Sequence, residues 1–159
     1  MVQAFMLRKI YIFAVLLKLS IEVAPSIAQQ AKNVVPTVAS ASVPLYPRAI
    51  RAARIQGDVV LRLSTNGERV SAIDAESGPP ALVQAAKDNV KTWRFEPHAP
   101  TSFEVAFHYK LLVPTKCDSE CKCDYAGNES VVLELPTNVD VNARVAMICD
   151  PRGTITDRQ

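Results

Sequence analysis

Histidine is scarce in this chain: only His98 and His108 occur in 159 residues, and neither stands in a His-x-x-x-His metal spacing or beside a nucleophile and its base. Glycine is scarce as well, and none of the five builds a phosphate-cradling loop. With those constellations missing, no enzyme activity, cofactor or metal is expected. Asp74 and Glu76 are the nearest thing to paired carboxylates, and on a strand their expected role is solubility rather than acid-base chemistry. Charge of one sign is also lacking. Removing Arg8, Lys9 and Lys18 from the eighteen bases and Glu22 from the sixteen acids leaves fifteen of each over residues 29–159. That balance argues against nucleic acid or an anionic membrane as partner. No apolar run reaches the roughly 20 residues a bilayer span needs, because Lys18 and Glu22 interrupt the one that begins at Ile10. No cysteine follows that run, which excludes a lipoprotein anchor there.

What the N-terminus does have is the three-part pattern of an export signal: Arg8 and Lys9, the apolar stretch Ile10 to Leu17, and the small-residue site Ser26-Ile27-Ala28. Cleavage after Ala28 is expected, giving a signal peptide over residues 1–28 and a periplasmic product. An uncleaved anchor in the inner membrane, facing the periplasm, is the alternative. Residues 29–43 are small and polar and read as a flexible linker in which nothing packs firmly. In an oxidising compartment, Cys117, Cys121, Cys123 and Cys149 read as disulfide partners. Three pairings are open. A Cys121–Cys123 ring would be very tight, so a long-range bridge from Cys149 to Cys121 or Cys123 is favoured over it. A four-thiolate zinc site fits less well, because the single-residue gap between Cys121 and Cys123 departs from zinc spacing.

Between Pro44 and Val113 the pattern is that of one small domain. Pro47 suits the first turn of a short helix running to Arg54, with Ala49, Ile50 and Ala53 inward and Arg48, Arg51 and Arg54 sharing an outer face. Gly57 to Thr65 alternates with period two and buries Val59, Leu61 and Leu63. Asn66-Gly67 marks a hairpin into a return strand from Val70 to Ala75. A helix from about Ala81 to Trp93 carries an apolar stripe of Leu82, Ala86, Val90 and Trp93. Phe103, Val105, Phe107, Tyr109 and Leu111 then alternate with Glu104, Ala106, His108 and Lys110 in a third strand. Trp93, Phe95, Phe103 and Phe107 are expected in the core rather than lining a ligand groove. The expected fold is therefore α+β: a small three-stranded antiparallel sheet with two helices over residues 44–113, followed by a cysteine-containing β extension over 114–159. Within the extension, Ser130 to Leu135 and Val141 to Ile148 look like short strands.

Read in order, Tyr46-Pro47-Arg48-Ala49-Ile50, Ile55-Gln56-Gly57-Asp58-Val59-Val60-Leu61, Asn66-Gly67-Glu68-Arg69-Val70, Ser77-Gly78 and Trp93-Arg94-Phe95-Glu96-Pro97 resemble the C-terminal domain of the TonB family, the periplasmic end of an energy transducer. The resemblance implies a protein-binding module that takes a short extended segment of an outer-membrane TonB-dependent transporter, or of another envelope protein, as a strand added to its sheet edge. The matching edge is the third strand, Phe103 to Leu111, with Glu104, Ala106, His108 and Lys110 on the polar face beside the incoming peptide. Arg48, Arg51 and Arg54 are a second candidate docking patch. The family's transducers couple to the ExbB and ExbD complex through a membrane helix carrying a histidine. The apolar run here has none, and residues 29–43 extend only about 50 Å, so that coupling is not expected. Homodimerisation through the same fold is the alternative use. Ser130 to Leu135 is a candidate internal lid that folds back over the peptide-binding edge.

Overall fold

In the computed structural model, residues 35–118, 120 and 122–147 are described. The expected signal peptide and its cleavage site, as well as Cys121 and Cys149, lie outside them. Strand β1 (Val38–Ser40) leads into the short helix α1 (Arg48–Ala52), then the hairpin β2 (Gly57–Thr65) and β3 (Val70–Ser77), helix α2 (Pro80–Val90), β4 (Arg94–Phe95) and the long β5 (Thr101–Leu112). The extension adds β6 (Pro114–Cys117), β7 (Cys123–Tyr125), β8 (Ser130–Glu134) and β9 (Asn138–Arg144).

The expected hairpin, second helix and aromatic strand all form. Val59, Leu61 and Leu63 are fully buried against Leu82, Ala86, Val90 and Trp93 of the helical layer, and Val105, Phe107 and Tyr109 complete the floor. Trp93 lies tilted 6.3 Å from Phe107 and Tyr46 edge-on 5.1 Å from Tyr109 between centroids, while Phe107 and Tyr109 stack. Trp93 satisfies its indole by donating Nε1–H to Asn89 Oδ1 at 3.0 Å. The four aromatics Trp93, Phe95, Phe103 and Phe107 are all core.

The sheet itself departs from the three-stranded antiparallel expectation. It has five strands in the order β3-β2-β5-β9-β8 and is mixed, because β9 pairs parallel to β5 while the other contacts are antiparallel. The physical reason lies in the extension. Parallel neighbours need a long crossover, and residues 113–137 supply one, first as the β6–β7 hairpin and then as β8. A turn at Leu135–Thr137 returns the chain so that β9 slots between β8 and β5. Val139, Val141 and Ala143 then drop into the core beside Phe107 and Tyr109. The last strand was expected at Val141 to Ile148. It starts three residues earlier, where Thr137 O accepts the Ala106 N–H at 2.9 Å and sets the register.

Two further expectations are corrected. Residues 35–43 do not behave as a free linker. Strand β1 pairs with β4, Thr37 O accepts the Glu96 N–H, and Asn89 Nδ2–H donates to Ser42 O at 2.8 Å, clasping the segment to the end of α2. In the extension, Cys123 is bonded to Cys117 rather than to Cys149, because the β6–β7 register sets those two residues opposite each other with Cα atoms 4.1 Å apart. That bond consumes two of the four thiols a zinc site would require.

Candidate protein-interaction edge

A strand-adding site needs a row of unpaired backbone groups at a sheet edge. Of the expected strand, Phe103 to Leu111, the part from Ala106 onward is not such an edge in this chain, while Phe103 to Val105 pair with β2 alone. On one side β5 pairs with β2 from Thr101 to Tyr109, and on the other Ala106 to Leu112 pairs with β9. Phe103, Val105, Phe107 and Tyr109 face the core, Leu111 is half-buried, and Glu104 and Lys110 are exposed on the opposite face. The expected lid, Ser130 to Leu135, does not lie on β5: the strand that pairs with β5 is β9, and β8 (Ser130–Glu134) is the outermost strand beyond it. Burial decides whether such a cover is displaceable. Val139, Val141 and Val145 are each at most 5 % exposed, and burying three valines contributes on the order of 5 kcal/mol. A peptide forced to displace them would bind about a thousandfold or more weakly. Strand β9 is part of the fold, and the strands of this sheet open along their whole length are β3 and β8, with residues 101–105 of β5 unpaired on its β9 side.

The polar face carries a cluster around His108 that the sequence analysis did not foresee. His108 Nδ1 lies 2.7 Å from Asp58 Oδ1, and Nε2 lies 2.9 Å from Asn138 Oδ1. The ring therefore ties β2, β5 and β9 together. The hydrogen bond that His108 Nδ1–H donates to Asp58 raises the His108 pKa above its ordinary value against the opposing effect of desolvation, with Asn138 and the nearby Asp140 adding to the rise. The antiparallel register sets Asp58 directly opposite His108, so half of this cluster was legible from the hairpin pattern. Asn138 was not, since it arrives through a long-range parallel pairing.

The arginine patch is divided. Arg51 reaches across to the extension, where its Nη1–H donates to Glu129 Oε1 and to Arg144 O, both at 3.3 Å. Arg48 is exposed on the helix, and Arg54 lies beyond the helix end with a left-handed backbone, φ 55°. Arg48 and Arg51 lie within the helix, whereas Arg54 follows its end at Ala52. Of the residues expected inward, Ile50 packs on the core while Ala49 and Ala53 are exposed. Asp74 and Glu76 do not form a catalytic pair: Glu76 accepts from Arg62 Nε at 2.7 Å, within an exposed ion-pair network that also takes in Glu104. Among the described residues no cluster of metal-ligating side chains occurs.

The two open edges differ in kind. Strand β3 carries Asp74 and Glu76, has two register irregularities against β2, and runs into Gly78-Pro79-Pro80, all features that discourage pairing. Strand β8 reads Ser130-Val131-Val132-Leu133-Glu134, with Val132 46 % and Leu133 37 % exposed. Beside it, on the core side, lies a groove of about 490 Å³ lined by Val43, Leu45, Tyr46, Val131 and Val141 and bounded by the Arg51–Glu129 pair. Leu45 is 77 % exposed at its rim.

A small α+β sheet domain with a helical layer on one face, a filled core and an exposed apolar edge strand offers backbone groups on which a further strand can pair. Residues 42–111 match the family described as Gram-negative bacterial TonB protein C-terminal, and over those residues the chain carries a TonB C-terminal domain. This is a protein-interaction domain and not an enzyme family. Strands β6 to β9 lie outside the match. A search of curated proteins found no significant match. Among the described residues no helix is long and apolar enough to cross a membrane.

Proposed function

We propose that this chain is a periplasmic protein-binding module that captures an extended segment of an outer-membrane transporter, or of another envelope protein, as a strand added to β8. The observation that carries this reading is the open, apolar β8 edge with its adjoining groove on a TonB C-terminal domain whose β5 strand is occupied from Ala106 to Leu112 by its own extension. Backbone hydrogen bonds supply affinity without sequence dependence, and alternate side chains of the guest select for the Val43, Leu45 and Val131 ledge. The module acts as a receptor for the segment, without coupling to an inner-membrane motor.

Site-specific photocrosslinking in cells tests it. A photoreactive residue at Val132, on the open edge, is expected to capture an outer-membrane transporter identifiable by mass spectrometry, whereas one at Ser71, on the irregular β3 edge, is not. Equal capture at both positions, or none at Val132, sinks the proposal.

A further inference from the structure

The sequence of β8 has a symmetry that the sheet makes usable. Pairing with β9 sets Val131 opposite Val141 and Leu133 opposite Val139, so Val131 and Leu133 lie on the core face; Ser130, Val132 and Glu134 lie on the other face, with Asn142, Asp140 and Asn138. The five residues are consequently near-palindromic about Val132 in polarity, polar at both ends and apolar between. No proline or lysine interrupts them, and their only charge is at one end.

We infer that β8 is an interface between two copies of this chain, which join edge to edge as antiparallel strands about a twofold axis at Val132. This inference rests on the reading of β8 as the edge that accepts an added strand. In that register Val132 meets Val132 of the second copy on the polar face. Val131 meets Leu133 twice on the core face, and Ser130 meets Glu134 twice, so no like charges oppose each other. The exposed side chains of Val43 and Leu45 overhang the same core-side ledge and gain cover from the second copy's Leu133. The product is one continuous ten-stranded sheet, made from two five-stranded ones. A strand of the wrong polarity pattern would not close on itself this way. The β3 edge illustrates the contrast, since pairing it with itself would bring two copies of Asp74 and Glu76 together. Only five residues a side pair, so the dimer is weak and exchanges with a strand-forming guest, which makes self-pairing the resting state of the binding edge.

The test is sedimentation velocity on the chain purified from the envelope fraction, over about 1 to 300 µM, the range suited to a small interface. A concentration-dependent monomer–dimer equilibrium is expected. Val132→Lys, which opposes two ammonium groups at the twofold axis, should weaken the dimer about tenfold. Ser130→Lys, opposite Glu134 of the second copy, should tighten it about fivefold, and Ser130→Glu should weaken it by a similar factor. Ser130 is exposed and Val132 nearly half so, and circular dichroism of each variant verifies the monomer fold. A monomer at every concentration overturns the inference. So does a dimer indifferent to the sign of charge at position 130, which would place the contact elsewhere. Transporter capture at Val132 by a strictly monomeric chain sinks this inference alone, whereas the charge-sensitive dimer without capture sinks only the transporter reading.

Discussion

The His108 ring sits between two oxygen acceptors, so its doubly protonated form satisfies Asp58 and Asn138 at once. Its folded pKa is raised above the unfolded value of 6.5. The stabilisation is therefore fully present below that value and is lost as the pH rises through the folded pKa. Urea unfolding at about pH 5.5 and about pH 8.5 should show the wild type losing more stability on alkalinisation than His108→Gln does; identical losses would mean the ring is not bound as an imidazolium. Gly78 is constrained differently. At φ 124°, an added Cβ would lie 2.8 Å from both Asp58 O and Val59 Cγ2. Gly78→Ala should thus destabilise by about 2 kcal/mol or more, combining backbone strain with a collision against β2. A denaturation midpoint unchanged from wild type would refute the assignment. Tyr46 donates its hydroxyl to Ile55 O at 2.6 Å, and burial pushes its pKa up to about 12, so it remains a neutral donor across the physiological range.

At the scale of elements, β9 is the decisive one. Val139 and Val141 are buried between β5 and β8, and truncating either to alanine should cost about 2 kcal/mol, whereas Val132→Ala should leave the monomer's stability within about 0.5 kcal/mol of wild type. Equilibrium unfolding of the three variants checks the ranking. Removing residues 114–159 strips the strand from β5 and uncovers Phe107 and Tyr109. The shortened chain should self-associate or bind peptide along Ala106 to Leu112, the stretch that β9 covers within and just beyond the Phe103 to Leu111 edge expected from the family resemblance. If it stays monomeric and inert by gel filtration and peptide titration, β5 was never a latent edge. The β6–β7 hairpin contributes little to the sheet. Its bridge between Cys117 and Cys123 holds a short, largely exposed pair of strands in register on the way to β8.

For the molecule as a whole, the reading as an exported module predicts a soluble periplasmic species whose intact mass corresponds to a chain beginning at Gln29. An uncleaved species in the inner-membrane fraction would restore an anchored transducer. How much of this was legible follows from range. The period-two runs of β2 and β5, the Leu82-Ala86-Val90-Trp93 stripe and the Asn66-Gly67 turn depend on neighbours a few residues apart, so the amino-acid sequence by itself determined the hairpin, the second helix, the aromatic core and the TonB C-terminal resemblance. Strand order in the extension depends on contacts tens of residues apart. Ser130 to Leu135 and the strand after it are both short, apolar and β-prone, and nothing local says which lies inside. Only the tertiary structure decided that β9 pairs with β5, because that arrangement alone lets Val139, Val141 and Ala143 complete the core while Asn138 meets His108. It thereby covered the expected edge from Ala106 onward and left another at β8.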